Sequence, residues 1–467
     1  MSSCIVWFRH DLRLADNPAL AAAAKSGLPV VPVYVLDDAT PGLRGPGAAS
    51  RWWLHHSLSA LDADLRALGT RLVLRRGPAE QVLPALVESC GAQAVHWNRL
   101  YETAARERDA RIKQALTGRG VAAVSHKANL LFEPWEVKTG AGDPFKVFTP
   151  FWRACRQLAP PDRPLPAPGV LPAPAGWPAG DALDAWRLLP RNPDWAGGLR
   201  DGWQPGEAGA RRRLEGFVDD VLPRYRDERD LPARASTSRL SPHLAFGEVS
   251  PRQVWQAATA RDPSAATEKF LAEIGWREFC NNLAFHFGNL AERNFRPDFD
   301  AFPWAAEDAT VEAWRRGRTG YPIVDAGMRE LWTTGWMHNR VRMIVASFLA
   351  KDLMIDWRVG ERWFWDTLVD ADAANNPAGW QWVSGSGADA QPYFRIFNPV
   401  LQGEKFDPDG SYVRRWVPEV AGLPSQAIHK PWTARGLVDP AYPPPVVDHA
   451  QARDRALAAF RSLKQEP

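Results

Sequence analysis

Short apolar runs alternate with amphipathic stretches over the first 125 residues, and this pattern constrains the fold more than any other feature. The apolar runs at 4–8, 30–36, 71–74, 94–97 and 121–124 have the length and composition of β-strands. The stretches at 17–25, 50–68, 79–89 and 103–116 are rich in Ala and Leu at helical spacing. Strands that are joined by helices form parallel sheets, so the pattern predicts a doubly wound, five-stranded parallel α/β domain.

The character of the chain changes after this domain. Residues 160–178 are dense in proline, and little periodicity follows up to Pro205, which predicts a surface linker. Long amphipathic stretches follow at 208–225, 267–287, 321–353 and 450–463. We therefore predict an α/β plus all-α protein, with an α/β domain at 1–130, an interdomain linker at 131–205 and an all-helical domain at 206–467.

The sequence lacks the motifs of several common functional classes. The turn after the first strand reads RHDLR rather than GxGxxG, and neither GxxxxGK[ST] nor HExxH occurs. The four cysteines are far apart and form no CxxC pair, which argues against a disulfide framework and a thiolate metal site. The sequence has no apolar run long enough for a membrane helix and no secretory signal pattern. We therefore expect a cytoplasmic protein without a metal site or a membrane partner.

Hydroxyl side chains and one arginine cluster before a predicted helix, at Thr237, Ser238, Arg239 and Ser241. Ser241 as the N-cap and Pro242 as the first helical residue would explain the pattern by helix initiation alone. The same groups also supply backbone donors and a cation, which together can bind a phosphate or pyrophosphate. The residues alone leave both explanations open.

Two predicted helices carry polar and aromatic residues that share a face. Glu273 and Trp276 are three residues apart, so a carboxylate and an indole could hydrogen-bond to and stack on a flat base. Asn339 and Met343 are four apart on another helix, with Arg342 beside them. For any isolated pair, a polar helix edge beside a core residue is the simpler explanation.

A short stretch that contains Pro377 and Gly379, 370–382, combines two aspartates, two asparagines and two tryptophans. This composition is too polar for a core and too aromatic for a loose loop, so it favours a lined pocket. Asp370 and Asp372 have no third ligand at a suitable spacing, which disfavours a metal site. The chain also has 23 tryptophans against 7 tyrosines, which fits either core packing or a site built from indoles.

These motifs, in their order along nearly the whole chain, resemble the photolyase/cryptochrome family, and most closely its class I cyclobutane pyrimidine dimer photolyases. The segments that carry the resemblance are VWFRHDLRL at 6–14, KVFTPF at 146–151, TSRLSPHL at 237–244 and PYFRIFNP at 392–399. The resemblance implies an α/β antenna domain, a linker and a helical FAD domain. It also implies a carbon-carbon lyase that repairs cyclobutane pyrimidine dimers in DNA, by electron transfer from photoexcited reduced FAD to the flipped-out dimer.

The resemblance also implies roles for individual residues. The FAD-binding residues would be Tyr225, Thr237, Ser238, Leu240, Ser241, Arg277, Asn339, Arg342, Asp370, Asp372 and Asn376. The catalytic residues would be Glu273, Trp276, Asn339, Met343 and Asn376. The electron chain to the flavin would be Trp380, Trp357 and Trp304. The residues that bind DNA phosphates, without reading sequence, would be Arg224, Arg226, Arg229, Arg340, Arg395 and Lys405.

Three positions bear on the choice of activity within the family. Photoreceptor branches resemble this chain but carry Asp or Cys where it has Asn376, so the Asn favours repair over signalling. Relatives that repair (6-4) photoproducts carry His at the positions of Asn339 and Met343, so that substrate ranks below the cyclobutane dimer. A cryptochrome-type blue-light photoreceptor remains the alternative, and we expect a monomer.

The chain departs from the family pattern at two places. Phe270 stands where well-known members carry a Trp, so an indole donor near the adenine and the dimer is missing. The segment TAA at 103–105 lacks the Asn-Glu pair of folate-using relatives. The identity of a second, antenna chromophore therefore stays open between a deazaflavin, a flavin and a folate, and its presence stays open as well.

Overall fold

The computed structural model describes residues 2–261, 263–390 and 394–463. The chain forms two compact units, each built from separate segments. The sheet unit comprises Met1–Ala196, Trp203–Pro223 and Ser238–Gly288, and the helical unit comprises Gly197–Gly202, Arg224–Thr237 and Asn289–Pro467. The sequence division at 130 and 205 stays a prediction. Pro392 and Tyr393 of the fourth family-like motif lie outside the described residues.

The sheet unit contains one five-stranded parallel sheet. Its strands are β1 (Ser3–Phe8), β2 (Val30–Leu36), β3 (Val73–Arg76), β4 (Ala92–Asn98) and β5 (Ala122–His126), in the order β3-β2-β1-β4-β5. The predicted fold class is confirmed. The third strand begins two residues later than the sequence pattern predicts.

Nineteen α-helices occur among the described residues. In chain order they are α1 (Pro18–Lys25), α2 (Ala48–Ala67), α3 (Ala79–Cys90), α4 (Thr103–Thr117), α5 (Phe148–Gln157), α6 (Gly197–Gly202), α7 (Glu207–Gly216), α8 (Tyr225–Glu228), α9 (Ser241–Ala245), α10 (Pro251–Thr259), α11 (Ala265–Phe287), α12 (Ala309–Arg315), α13 (Pro322–Thr334), α14 (Asn339–Ser347), α15 (Trp357–Thr367), α16 (Asn375–Ser384), α17 (Pro399–Phe406), α18 (Ser411–Trp416) and α19 (His449–Ser462). None of these helices is long and apolar enough to cross a bilayer.

Two long predicted helices prove to be broken. The stretch 321–353 divides into α13 and α14, because Gly335 has a left-handed backbone with φ of 66° and ends α13. A Cβ at Gly335 would lie 2.8 Å from Val369 Cγ1, so the turn also needs the absence of a side chain. The stretch 208–225 is broken as well: α7 ends at Gly216, and the chain continues through a π-helical turn at Phe217–Val221.

The faces of β1 separate two apolar layers, because successive side chains of a strand point to opposite sides. Val6 and Phe8 pack with one layer, and Ile5 and Trp7 pack with the other. All six residues of the strand are buried, as expected for a central parallel strand covered on both faces. The helical unit has its own core, in which Trp357 is fully buried.

The turn that follows β1 fixes a distant segment of the sheet unit. Leu12 N donates to Phe246 O over 3.1 Å, and Arg13 Nη1 donates to Gly247 O over 2.8 Å. Gly247 has φ of 66°, and a Cβ there would lie 2.0 Å from His10 O. The segment that carries α9 is therefore held directly against the carboxyl end of β1.

We predict that Gly247→Ala destabilises the protein far more than Gly27→Ala. Gly27 has a similar φ of 72° but nothing within 4 Å of its Cβ position, so it reports the backbone cost alone. We expect roughly 1 kcal/mol for Gly27→Ala and at least about 3 kcal/mol for Gly247→Ala, measured by denaturant unfolding. Equal losses for the two variants would contradict the close approach at Gly247.

Candidate functional site

The hydroxyl segment of the sheet unit leads into α9. The predicted N-cap is wrong by one residue: Leu240 O accepts from Leu244 N over 2.9 Å, so Leu240 is the cap and Ser241 is the first helical residue. Ser241 is exposed, and Ser238 Oγ accepts from Leu240 N over 3.4 Å. Ser241 is therefore not the helix cap. Its predicted role in binding a phosphate stays a prediction.

A buried carboxylate holds this segment in place. Glu248 Oε1 accepts from Trp53 Nε1 over 3.0 Å and from Gly206 N over 2.7 Å. Its second oxygen lies 2.5 Å from Nδ1 of His243, and neither side chain is more than 1 % exposed. Three elements of the sheet unit thus converge on Glu248, which restricts the movement of α9.

Helix α11 of the sheet unit carries Glu273, Trp276 and Arg277, all partly exposed. Glu273 forms an ion pair with Lys269 at 3.2 Å, one turn earlier on the helix. The Trp276 indole stacks on Phe148, with ring centroids 3.9 Å apart and planes inclined by 9°. Arg277 Nη1 donates to a main-chain carbonyl over 2.8 Å.

Phe270, where the sequence departs from the family pattern, is only 2 % exposed. Its ring packs on Phe217 in the sheet unit, with centroids 4.5 Å apart. A phenyl group is therefore accommodated there by apolar packing.

In the helical unit, two of the predicted FAD-binding residues, Arg342 and Asp370, form an ion pair. The guanidinium donates to both carboxylate oxygens, over 3.1 and 2.8 Å. Arg342 Nε also donates to Met337 O over 2.8 Å, and the Asp370 side chain is only 2 % exposed. This bidentate geometry supplies two parallel hydrogen bonds to the buried carboxylate of Asp370.

Asp372 and Asn376 organise the start of α16. Asp372 Oδ1 accepts from the backbone N of Ala374 over 2.9 Å and of Asn375 over 2.7 Å, which satisfies donors at the helix N-terminus. Asn376 Nδ2 donates to Glu361 O over 3.1 Å and to Glu361 Oε1 over 2.9 Å. Both amide hydrogens of Asn376 are thus directed to Glu361, so its carbonyl oxygen is the group that can accept another hydrogen bond.

Sequence reasoning missed Glu361. Its side chain is 1 % exposed in α15, a helix with four aromatic residues. The sequence feature that could have identified Glu361 is a carboxylate within an aromatic helix. If such a group is buried, it needs a specific hydrogen-bond partner. The sequence alone does not identify that partner.

The three predicted electron-chain tryptophans lie on neighbouring segments of the helical unit. Trp357 begins α15, and a Cβ at Gly360 in the same helix would lie 2.1 Å from the Trp380 ring, so that glycine makes room for Trp380. Ala305 N donates to Met354 O over 2.7 Å, which places the residue after Trp304 beside the segment that leads into α15. Trp357 and Trp380 are buried, and Trp304 is half-buried.

Three of the six predicted DNA-binding residues, Arg229, Arg340 and Lys405, share contacts in the helical unit. Arg340 pairs with Asp230 at 3.1 Å, and Arg229 lies 3.9 Å from the same carboxylate. The Arg340 guanidinium lies 4.3 Å from the centroid of the Phe406 ring, and Lys405 Nζ lies 5.2 Å from it.

The other three, Arg224, Arg226 and Arg395, are exposed. Arg224 is exposed and pairs with Glu228 of α8, and Arg226 is exposed on the same helix. Arg395 is also exposed, and its guanidinium lies 4.9 Å from the centroid of the Phe397 ring. Tyr225 is buried beneath Arg229, and Thr237 is half-buried. The roles that the resemblance implies for all of these residues stay predictions.

Asn339 and Met343 lie one turn apart on α14, as predicted. His338 is the N-cap of this helix, and its side chain accepts from Arg340 N over 3.2 Å. Burial lowers the pKa of His338 from 6.5 to about 4, an effect that Arg229 and Arg340 strengthen and Asp230 opposes. The imidazole is therefore neutral, which suits an acceptor at a helix start.

Two protein-family models match the chain. One, described as DNA photolyase, matches residues 4–169, and the other, described as the FAD binding domain of DNA photolyase, matches residues 270–462. A deoxyribodipyrimidine photo-lyase of Agrobacterium fabrum is 52% identical over 99% of this chain and 98% of the relative. Cryptochrome-1 of Arabidopsis thaliana is 42% identical over 99% of this chain and 70% of the relative.

A solved structure gives the same grouping. A bacterial class III photolyase from Agrobacterium tumefaciens superposes with a TM-score of 0.96 at 51% identity, covering 100% of this chain and 98% of that chain.

We predict that His338→Asn removes a pH dependence of stability while preserving the helix cap. The folded protein resists protonation of His338, so unfolding is favoured as the pH falls from the unfolded pKa of 6.5 towards the folded pKa of about 4. Relative to pH 7, we expect the wild type to lose about 2 kcal/mol more than the variant at pH 5. Parallel pH profiles in denaturant titrations would contradict a buried, neutral His338.

Proposed function

The chain belongs to the photolyase/cryptochrome family as an FAD-binding DNA photolyase, and we propose that it repairs cyclobutane pyrimidine dimers under blue light. The support comes from a photolyase at 52% identity over nearly both full lengths, together with Asn376, Asn339 and Met343. The observation that carries the proposal is the hydrogen bond by which Glu361 orients the amide of Asn376.

The helical unit has groups that suit the isoalloxazine of reduced FAD. When bound, the cofactor would supply a light-driven electron to the dimer and recover it after the ring has split. The carbonyl oxygen of Asn376 is an acceptor, and it would match the N5–H donor of reduced flavin without acting as an acid. The Arg342–Asp370 pair would add a fixed cation and anion beside the ring and the ribityl chain.

We assign the FAD pyrophosphate and ribose to Tyr225, Thr237, Ser238, Leu240 and Ser241. The sheet-unit part of this segment is held by Glu248 and by the turn after β1, so its backbone donors are fixed before a ligand binds. A fixed donor set costs less entropy on binding than a mobile loop does. Arg277 and Asp372 complete the proposed FAD contacts.

For the dimer, we assign Trp276 to stacking, Glu273 and Asn339 to hydrogen bonding and Met343 to apolar contact. A lesion with weakened base pairing is cheaper to flip out of the duplex than an intact pair, which would provide selectivity. Neither Asn339 nor Met343 can transfer a proton, which suits a cyclobutane ring that splits by electron transfer alone. The basic residues around Asp230 and Phe406 would bind phosphates without reading sequence.

The class I branch that the sequence resemblance indicates stays a prediction, and the class III photolyase at 51% identity favours class III instead. The monomeric state, the cellular location and the antenna chromophore also stay predictions.

A blue-light photoreceptor is the second candidate, because Arabidopsis cryptochrome-1 is 42% identical over nearly this whole chain. Asn376 argues against it, since the photoreceptor branches that resemble this chain carry Asp or Cys at this position. A photoreceptor would bind FAD and photoreduce without preferring damaged DNA in the dark.

We predict that the reduced protein removes thymine dimers from an oligonucleotide under blue light and leaves a (6-4) oligonucleotide unchanged. Glu273→Gln should weaken dark binding of the dimer roughly tenfold, because a hydrogen bond to a charged acceptor becomes a weaker one to a neutral amide oxygen. Glu268→Gln is the matched control on the same helix, and it should bind normally. Flavin binding without repair of either lesion would assign the protein to the photoreceptor class.

We predict that Trp380→Phe slows photoreduction of oxidised flavin and preserves repair by chemically reduced enzyme. Trp314→Phe is the matched control, because Trp314 is also buried and its ring centroid lies 6.2 Å from that of Trp380. Time-resolved absorption after a flash would separate the two variants. Equal photoreduction in both would assign Trp380 to packing.

A further inference from the structure

Two aromatic side chains of α5 lie on α11 at the position of Trp276. Phe148 stacks face to face on the Trp276 indole, at 3.9 Å between centroids and 9° between planes. Trp152, one turn later on α5, is parallel to Phe148 within 10° at 6.4 Å. Both helices belong to the sheet unit, and Phe148 is 9% exposed.

A glycine makes this close approach possible. A Cβ at Gly275 would lie 2.6 Å from Cε3 of Trp152, a separation that real Cβ atoms do not show. Trp152 therefore packs directly on the backbone of α11 beside Trp276. This contact fixes the distance between α5 and α11, and with it the distance between the Phe148 ring and the Trp276 indole.

The stack has a consequence for any base that binds Trp276. One face of the indole is covered by Phe148, so a base can stack only on the opposite face. Phe279 approaches the same indole edge-on, with centroids 5.8 Å apart and planes inclined by 77°, which further limits rotation of the side chain. An immobilised ring loses less entropy when a base stacks on it.

We propose that Phe148, supported by Trp152 on Gly275, is a positioning residue that fixes the plane of Trp276 to receive one base of the dimer. The proposal rests on the proposed function of Trp276 as the stacking residue. Phe148 touches neither the dimer nor FAD in this scheme, and it acts only through the indole.

The test compares dark binding of a thymine-dimer oligonucleotide by holoenzyme variants. Phe148→Leu removes the ring but keeps much of the volume, and we expect roughly 3- to 10-fold weaker dimer binding with unchanged binding of undamaged DNA. Phe148→Tyr keeps the ring face and should restore affinity. Phe145→Leu, which removes a ring that contacts Phe151 instead, is the matched control.

A mutant cycle separates positioning from general packing. In a Trp276→Ala background, Phe148→Leu should have no further effect on dimer binding, because the indole through which it acts is gone. Trp152→Leu, at a partly exposed position, should weaken binding in the same direction by a smaller factor, and it provides the test if Phe148→Leu does not fold.

Three results would overturn the proposal. Unchanged dimer affinity in Phe148→Leu, or in Trp152→Leu if that variant alone folds, would exclude positioning by this stack. If Phe148→Leu lowered dimer affinity equally with and without the Trp276 indole, Phe148 would contribute only to general stability. A wild type that binds damaged and undamaged DNA equally and repairs neither would reject the proposed function first, and the role of Phe148 with it.

Discussion

The sheet unit depends on the hydrogen bonds of one buried side chain, the guanidinium of Arg13. Its guanidinium is 0 % exposed and donates to the carbonyls of Asp16, Gly247 and Ala128. Asp16, also fully buried, accepts from the Arg252 guanidinium at 2.7 Å. An unpaired buried charge would cost several kcal/mol, and these hydrogen bonds and this ion pair offset that cost. It joins the turn after β1 to the segment around α9 and α10, more than two hundred residues later in the chain.

This connection explains why the turn after the first strand has no glycine-rich fingerprint. In a dinucleotide-binding fold the same turn approaches a pyrophosphate with its backbone. Here the side chain of Arg13, which belongs to the turn, and the backbone of Gly247 fill the space beside the turn. The sheet thus supports the segment that leads into α9, whose hydroxyl residues we propose as the phosphate-binding group.

The sequence predicts much of this, and its limits have physical causes. Strand and helix alternation identifies all five strands, and the signal is strongest for β1 and β2, whose burial on both faces leaves continuous apolar runs. The single helix predicted over 321–353 fails at Gly335, since apolar spacing continues across a break that depends on contact with Val369. Asn376 is recognisable by resemblance, but its partner Glu361 is not, because side-chain pairing between helices has no local signature. The stack of Phe148 on Trp276 is hidden for the same reason.

The central claim is that reduced FAD in this protein donates an electron to a bound pyrimidine dimer. The most direct test is the fluorescence lifetime of the fully reduced flavin in the holoenzyme, with saturating thymine-dimer oligonucleotide or the same oligonucleotide undamaged. The lifetime should shorten with the dimer alone, because electron transfer competes with emission. An equal lifetime with both oligonucleotides would contradict this claim.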